Sequence, residues 1–82
     1  MFYIYVLKSK LDGSYYIGQT GNLKERIIRH NTGRSVYTKS KMPWDLVYSE
    51  QYESKTDALR REKEIKSWKS KVLLERLIEH PD

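Results

Sequence analysis

The sequence predicts an α+β fold, a three-stranded antiparallel sheet flanked by helices, in the order ββαβαα. Three observations predict it. Segments 2–8, 14–20 and 44–50 are short and rich in aromatic and β-branched residues, the composition of strands. The first two are joined through Asp12-Gly13, a turn pair that favours an antiparallel hairpin. Three later or intervening segments each begin with Asn or Ser in the position of a helix N-cap. Strands with so few parallel crossovers stack as a sheet covered by helices.

Taken in order, Phe2-Tyr-Ile-Tyr-Val-Leu-Lys8 is the first strand and Ser14-Tyr-Tyr-Ile-Gly-Gln-Thr20 the second. Asn22-Leu-Lys-Glu25 is a cap followed by a carboxylate three residues on, so a helix is expected from about 23 to 31. Gly33 stands where a left-handed C-terminal cap belongs. Residues 32–43 form a basic loop with Arg34, Tyr37, Thr38, Lys39 and Lys41, closed by Pro43. Trp44-Asp-Leu-Val-Tyr-Ser-Glu50 is the third strand. Ser54-Lys-Thr-Asp57 opens a helix over about 55–68, and Ser70 caps a last helix over 71–79, with Pro81 just past it. No repeat or low-complexity segment interrupts the chain, and 1–82 reads as one small domain.

The hairpin constrains which residues share a face. A two-residue loop at Asp12-Gly13 makes paired positions sum to 25, and a four-residue loop makes them sum to 23. Directly paired residues lie on one face, so either odd sum puts Tyr3, Tyr5 and Leu7 with Tyr16, Gly18 and Thr20. With the longer loop Tyr5 faces Gly18 and Leu7 faces Tyr16. An even register would separate them. The long helix carries a second constraint. At ~100° per residue, with Ala58 at zero, Leu59 lies near ~100°, Ile65 near about −20° and Glu62 near about 40°. Glu62 is thus expected on the inward face, and Glu64 toward water. An inward carboxylate must be ion-paired, protonated or bound to a metal. The sequence leaves a structural pair with Arg or Lys open beside a metal site.

Composition narrows the function. The 82 residues are 38% hydrophobic and 33% charged, with no cysteine, which excludes disulfides and thiolate metal sites. No apolar run approaches the ~18 residues of a membrane span. The N-terminal Met-Phe-Tyr-Ile-Tyr-Val-Leu-Lys has no basic leader or small-residue cleavage site, so a signal peptide is not expected and the cytoplasm is. The net charge of +5 is uneven: residues 55–71 hold seven Lys/Arg against three Asp/Glu, or +4, and residues 72–82 hold one against three, or −2. An anionic partner fits this distribution, and so does an ordinary solvated helix face. Arg26 and His30, four apart, share one side of the first helix, with Arg29 nearby. Guanidinium binds phosphate with two donors. A neighbouring arginine favours neutral, proton-accepting histidine. An exposed basic helix with a capping histidine would look the same.

Together these residues resemble the GIY-YIG nuclease superfamily. Its first motif is similar to Tyr3-Ile4-Tyr5 and its second to Tyr16-Ile17-Gly18, with ten residues between. The run from Tyr16 through Gly21-Asn22-Leu23 to Arg26 and His30 resembles the family's second strand and first helix. Ala58-Leu59-Arg60-Arg61-Glu62 resembles the helix of its metal-binding glutamate. The Tyr37-Thr38-Lys39 loop, Pro43 and Leu46-Val47-Tyr48 are similar to the small stand-alone YhbQ-like bacterial branch. The resemblance spans nearly the whole chain and rests on the ordered set, not on any single tripeptide.

The resemblance implies metal-dependent hydrolysis of DNA phosphodiester bonds, of the kind used in DNA repair or recombination. Residue by residue, it implies Tyr5 and Tyr16 as motif tyrosines, Gly18 for close approach at the sheet, Arg26 on phosphate, His30 as base or helper, and Glu62 on Mg²⁺ or Mn²⁺. A single carboxylate would hold such an ion weakly until substrate phosphate adds ligands. Gly18, Arg29, Arg34, Lys39 and Lys66 are the expected contacts to DNA. The motif's leading glycine is Tyr3 here, which bears on packing. No asparagine follows Asn31, so a late asparagine contact of some members is missing. Tyrosine, with an ordinary pKa near ~10, is a poor base at neutral pH unless tuned, so His30 and the tyrosines remain alternative bases. The other readings are a nucleic-acid-binding module that is inactive or needs a protein partner for specificity, and a protein-interaction domain using the last helix.

Overall fold

The structure, a computed structural model, describes residues 1–80; the expected helix-stopping Pro81 lies outside the described residues. The elements are β1 (Phe2–Ser9), β2 (Tyr15–Thr20), α1 (Leu23–Asn31), β3 (Trp44–Tyr52), α2 (Lys55–Ser67) and α3 (Lys71–Glu79), with a single 3₁₀ turn at Lys39–Lys41. They form the expected α+β arrangement of three antiparallel strands, in the order β2-β1-β3, and three helices.

Each helix starts where its cap residue dictates. The Asn22 side chain accepts from the Glu25 N–H, Ser54 from Asp57 and Ser70 from Leu73. Gly33 has φ 76, and the Arg34 N–H returns to the Arg29 carbonyl at 3.3 Å, closing α1 with a left-handed residue.

The hairpin adopts the four-residue loop. Ser9 N–H bonds Ser14 O at 2.8 Å, and Tyr5 stands opposite Gly18 and Leu7 opposite Tyr16. β1 is the central strand, and its alternation divides the core. Ile4 and Val6 point to one face, where Ala58 and Ile65 of α2 and Leu74 of α3 cover them. Tyr5 and Leu7 point to the other, with Trp44, Tyr16, and Leu23 and Ile27 of α1. Each such buried apolar side chain contributes roughly 1.5–3 kcal/mol.

Two features depart from the sequence reading. The β1–β3 register shifts between Val6 and Leu7, because Val6 pairs with Tyr48 and Leu7 with Leu46. Val47 is the extra residue of a β-bulge, so Val47 and Tyr48 both pack on the Ile4/Val6 face. The inward stripe of α2 is Ala58 and Ile65, while Leu59 is 43% exposed. A residue ~100° from the stripe's centre turns to solvent even when it is leucine.

Candidate functional site

The site is assembled around Tyr5, which is completely buried. Its ring lies across Gly18. A Cβ on that glycine would collide with Oη and Cζ of Tyr5 and approach Cε2 to 2.9 Å. The missing side chain therefore lets the phenol reach over β2, an edge strand. There Tyr5 Oη and His30 Nε2 are 3.0 Å apart. His30, 2% exposed, meets Thr38 Oγ1 through Nδ1 at 2.7 Å. Thr38 is itself buried, and its carbonyl accepts from the Trp44 indole N–H at 2.9 Å. Tyr16 stacks on the outside of this cluster, its ring centroid 4.9 Å from His30 and 6.3 Å from Tyr5.

The electrostatics follow from burial. Tyr5 is pushed up to about 12, by burial first and then by the neighbouring Tyr16 phenol; Arg26 pulls the value down and the Glu62 charge adds to the rise. His30 is lowered, by burial and then by the Arg26 and Arg29 charges. At neutral pH the phenol therefore keeps its proton and the imidazole is neutral. Tyr5 Oη finds its hydrogen-bond partner in His30 Nε2, so the retained phenol proton is donated to Nε2. That assigns the remaining ring proton to Nδ1, donated to Thr38.

Two further candidate residues stand on helices that pack on the sheet, Arg26 on α1 and Glu62 on α2. Arg26 comes from α1, and its Nε is buried with no hydrogen-bond partner among the described residues. A buried donor left unpaired costs free energy that an anion would recover. Glu62 comes from α2. Its side chain is 18% exposed, and Oε2 pairs with Lys66 Nζ at 2.9 Å, one helical turn on. Glu62 lies at the margin of the helix's apolar stripe and in a lysine ion pair, the structural alternative that its position allowed. Its charge adds to the upward shift of Tyr5, after burial and the Tyr16 phenol. The pair is no obstacle to exchange, because Lys66 is 52% exposed and solvated pairs of this kind are weak.

The structure thus brings together Tyr5, Tyr16, Gly18, Arg26 and His30, while Glu62 stands on α2 in its ion pair with Lys66. Arg29 and Arg34 are exposed and both lie within 4 Å of Glu25, at 3.8 and 3.9 Å. Lys39 is exposed on the loop. Lys66 neutralises Glu62. Sequence reasoning missed Thr38, which orients His30, and Asn31, whose amide holds the start of β3 by accepting from Trp44 N–H at 2.6 Å and donating to Trp44 O at 3.0 Å. It also missed the Glu50 carboxylate, which accepts from Tyr48, Tyr52 and both Nε and Nη2 of Arg61.

For a divalent cation, the donors present are few. No group of three or more His, Cys, Asp or Glu converges among the described residues. A single carboxylate such as Glu62 would suit an ion that keeps most of its waters. The residues fit a loosely held Mg²⁺ and not a closed protein cage.

A fold of this kind, with Tyr5 buried under Tyr16 and against His30 and with Arg26 on the first helix, defines a class, and sequence comparison agrees with it. The chain belongs to the GIY-YIG catalytic domain family, which matches residues 1–76. It is 48% identical over 67 residues to a UPF0213 protein of Staphylococcus saprophyticus, covering 80% of each chain, and 43% identical over 67 residues to one of Staphylococcus epidermidis, again covering 80% of each. The solution NMR structure of a UPF0213 protein from Bacillus halodurans superposes with a TM-score of 0.61 at 37% identity, covering 96% of this chain and 84% of that one. Among the described residues, no helix is long and apolar enough to cross a membrane.

Proposed function

We propose that the protein is a metal-dependent endonuclease that hydrolyses DNA phosphodiester bonds and serves DNA repair or recombination in the cytoplasm, with its 82 residues acting as one catalytic domain. The observation that carries the proposal is the buried, unpartnered Nε of Arg26, a side chain whose charge acts on both Tyr5 and His30. An arginine donor without a partner, acting on a buried phenol and a neutral histidine, is suited to a phosphodiester and its proton, and the Glu62 carboxylate to its cation.

In this reading Arg26 binds the scissile phosphate and neutralises charge that grows on its oxygens. Glu62 holds Mg²⁺ or Mn²⁺ once it releases Lys66. The bound ion would supply Lewis-acid polarisation of the phosphate and stabilisation of the leaving oxygen. Tyr16 is the part of the aromatic cluster that reaches solvent, so it meets the incoming strand. Tyr5 and His30 lie behind it and take up a proton released in the site. As Tyr5 Oη gains one proton, Nε2 of His30 accepts the phenol's own. Thr38 keeps the imidazole in the accepting tautomer. Base and tyrosine are thus one hydrogen-bonded unit. Arg29, Arg34 and Lys39 supply positive charge along the approach, and sequence preference falls to the substrate's shape or to a partner protein.

The test is cleavage of single-stranded, duplex and branched DNA with Mg²⁺ or Mn²⁺. Arg26→Ala and Glu62→Gln are each expected to lower the rate by roughly 10²–10³, with an unchanged circular dichroism spectrum. Undiminished cutting by both variants rejects the assignment. DNA binding without cutting by the wild type would move the protein to the class of binding modules.

A further inference from the structure

The loop between α1 and β3, residues 32–43, is anchored at several points and exposed at one. Thr38 is held by His30 and Trp44. The Ser9 hydroxyl donates to the Lys41 carbonyl at 2.7 Å, and the Lys10 N–H to the Pro43 carbonyl at 2.9 Å. Against this fixed base, Val36 and Tyr37 stand 92% and 86% exposed. A single exposed apolar residue needs no explanation. Here two adjacent ones crown an anchored loop whose only charges are Arg34, Lys39 and Lys41, all positive. Tyr37 also lines a shallow recess with Tyr16, Thr38, Lys41 and Trp44, so its ring sits on the rim of the candidate site.

We propose that Tyr37 is a stacking platform for an unpaired nucleobase, and that the preferred substrate is DNA with an unpaired nucleotide beside the scissile phosphate. The inference rests on the nuclease reading and names its substrate class. An aromatic face in a positively charged setting is what a base and its flanking phosphates require, and stacking is tolerant of base identity. Bases within continuous duplex are already stacked on their neighbours and offer no free face. Tyr37 is one residue from Thr38, which orients His30, so a base stacked there lies beside the catalytic cluster. Val36 adds apolar area next to the ring.

The experiment uses the full chain in EDTA, at low salt, with a single-stranded oligonucleotide carrying one 2-aminopurine and with the matching duplex. The wild type is expected to quench the single-stranded probe. Tyr37→Ala is expected to bind the single strand roughly tenfold more weakly and without the quench, and to bind duplex as the wild type does. Tyr37→Phe should keep the single-strand affinity and Tyr37→Trp should keep or raise it. Thermal midpoints should agree, because the ring is exposed. Unchanged single-strand affinity in Tyr37→Ala, or an equal loss on both DNAs, overturns this inference and leaves the nuclease reading standing. Failure of the wild type to bind either DNA overturns both.

Discussion

The two faces of the sheet are made from alternate residues of one strand, yet they do different work. Ile4 and Val6 enter an apolar layer with Ala58, Ile65 and Leu74. Tyr5, between them, enters a layer whose centre is polar, with His30 and Thr38 buried in sequence behind it. The first layer is stabilised chiefly by burial, and its one inward carboxylate, Glu50, is fully met by Tyr48, Tyr52 and Arg61. The second spends buried volume on hydroxyls, an imidazole and a guanidinium, each of which must find a partner or cost stability. In it Arg26 Nε is left without one. The difference locates function: the apolar face holds the molecule together, and the polar face is organised for chemistry.

The sharpest way to break that comparison is to truncate one residue on each side of the strand. Ile4→Ala leaves a cavity under α2 and is expected to cost about 2–5 kcal/mol. That is a large share of the total for so small a domain, where ~5 kcal/mol would be ordinary. Tyr5→Phe keeps the ring and loses one hydrogen bond to His30, expected at about 0.5–1.5 kcal/mol. Urea denaturation of both variants measures the gap. Equal losses would mean that the polar layer is as much a structural core as the apolar one.

Glycine substitutions sharpen the same contrast on a smaller scale. Gly18→Ala drives a methyl into the Tyr5 phenol, which is held by β1 below and His30 above. The expected cost is about 1–3 kcal/mol, with displacement of the phenol and loss of cleavage. Gly21→Ala meets only the Phe2 ring, at 3.8 Å, and is expected to change stability by less than ~0.5 kcal/mol. A mild Gly18→Ala would show that Tyr5 can move without consequence and would remove it from the site.

Much of this was legible beforehand, for identifiable reasons. The cap residues Asn22, Ser54 and Ser70 act within three residues, so the helix starts followed from local chemistry. The shared face of Tyr5, Tyr16 and Gly18 followed from the parity of the hairpin register, which either loop length preserves. The bulge at Val47 was not legible, because consecutive apolar residues in Leu46-Val47-Tyr48 fit either strand face. Leu59, ~100° round the helix from Ala58, is 43% exposed, so helical angle and not hydrophobic type decides its place. The ion pair of Glu62 was among the readings its inward position left open, and its partner proves to be Lys66, four residues on. Thr38 and Glu50 act across the fold, on His30 and Arg61, and no local spacing announces contacts of that kind.

The smallest expected effect concerns protons. His30 has its pKa lowered in the folded state, by burial and by Arg26 and Arg29, while its hydrogen bonds to Tyr5 and Thr38 use the neutral ring. A depressed folded pKa means that the unfolded chain binds the proton more readily. The contribution to stability is therefore complete above the unfolded value near ~6.5 and is lost as pH falls from there through the folded value. Glu50 is also lowered: burial opposes this, but hydrogen bonds from Arg61, Tyr48 and Tyr52 outweigh it. Its loss falls in a separate window, below the ordinary carboxylate pKa near ~4.3. Thermal midpoints of the wild type and of His30→Gln between pH 7.5 and 5 separate the two groups. The wild type is expected to lose stability over that span and His30→Gln to lose distinctly less, starting from a lower midpoint. Parallel slopes would mean that the buried imidazole accepts a proton without disturbing the fold, and the polar face would then be more permissive than its hydrogen bonds imply.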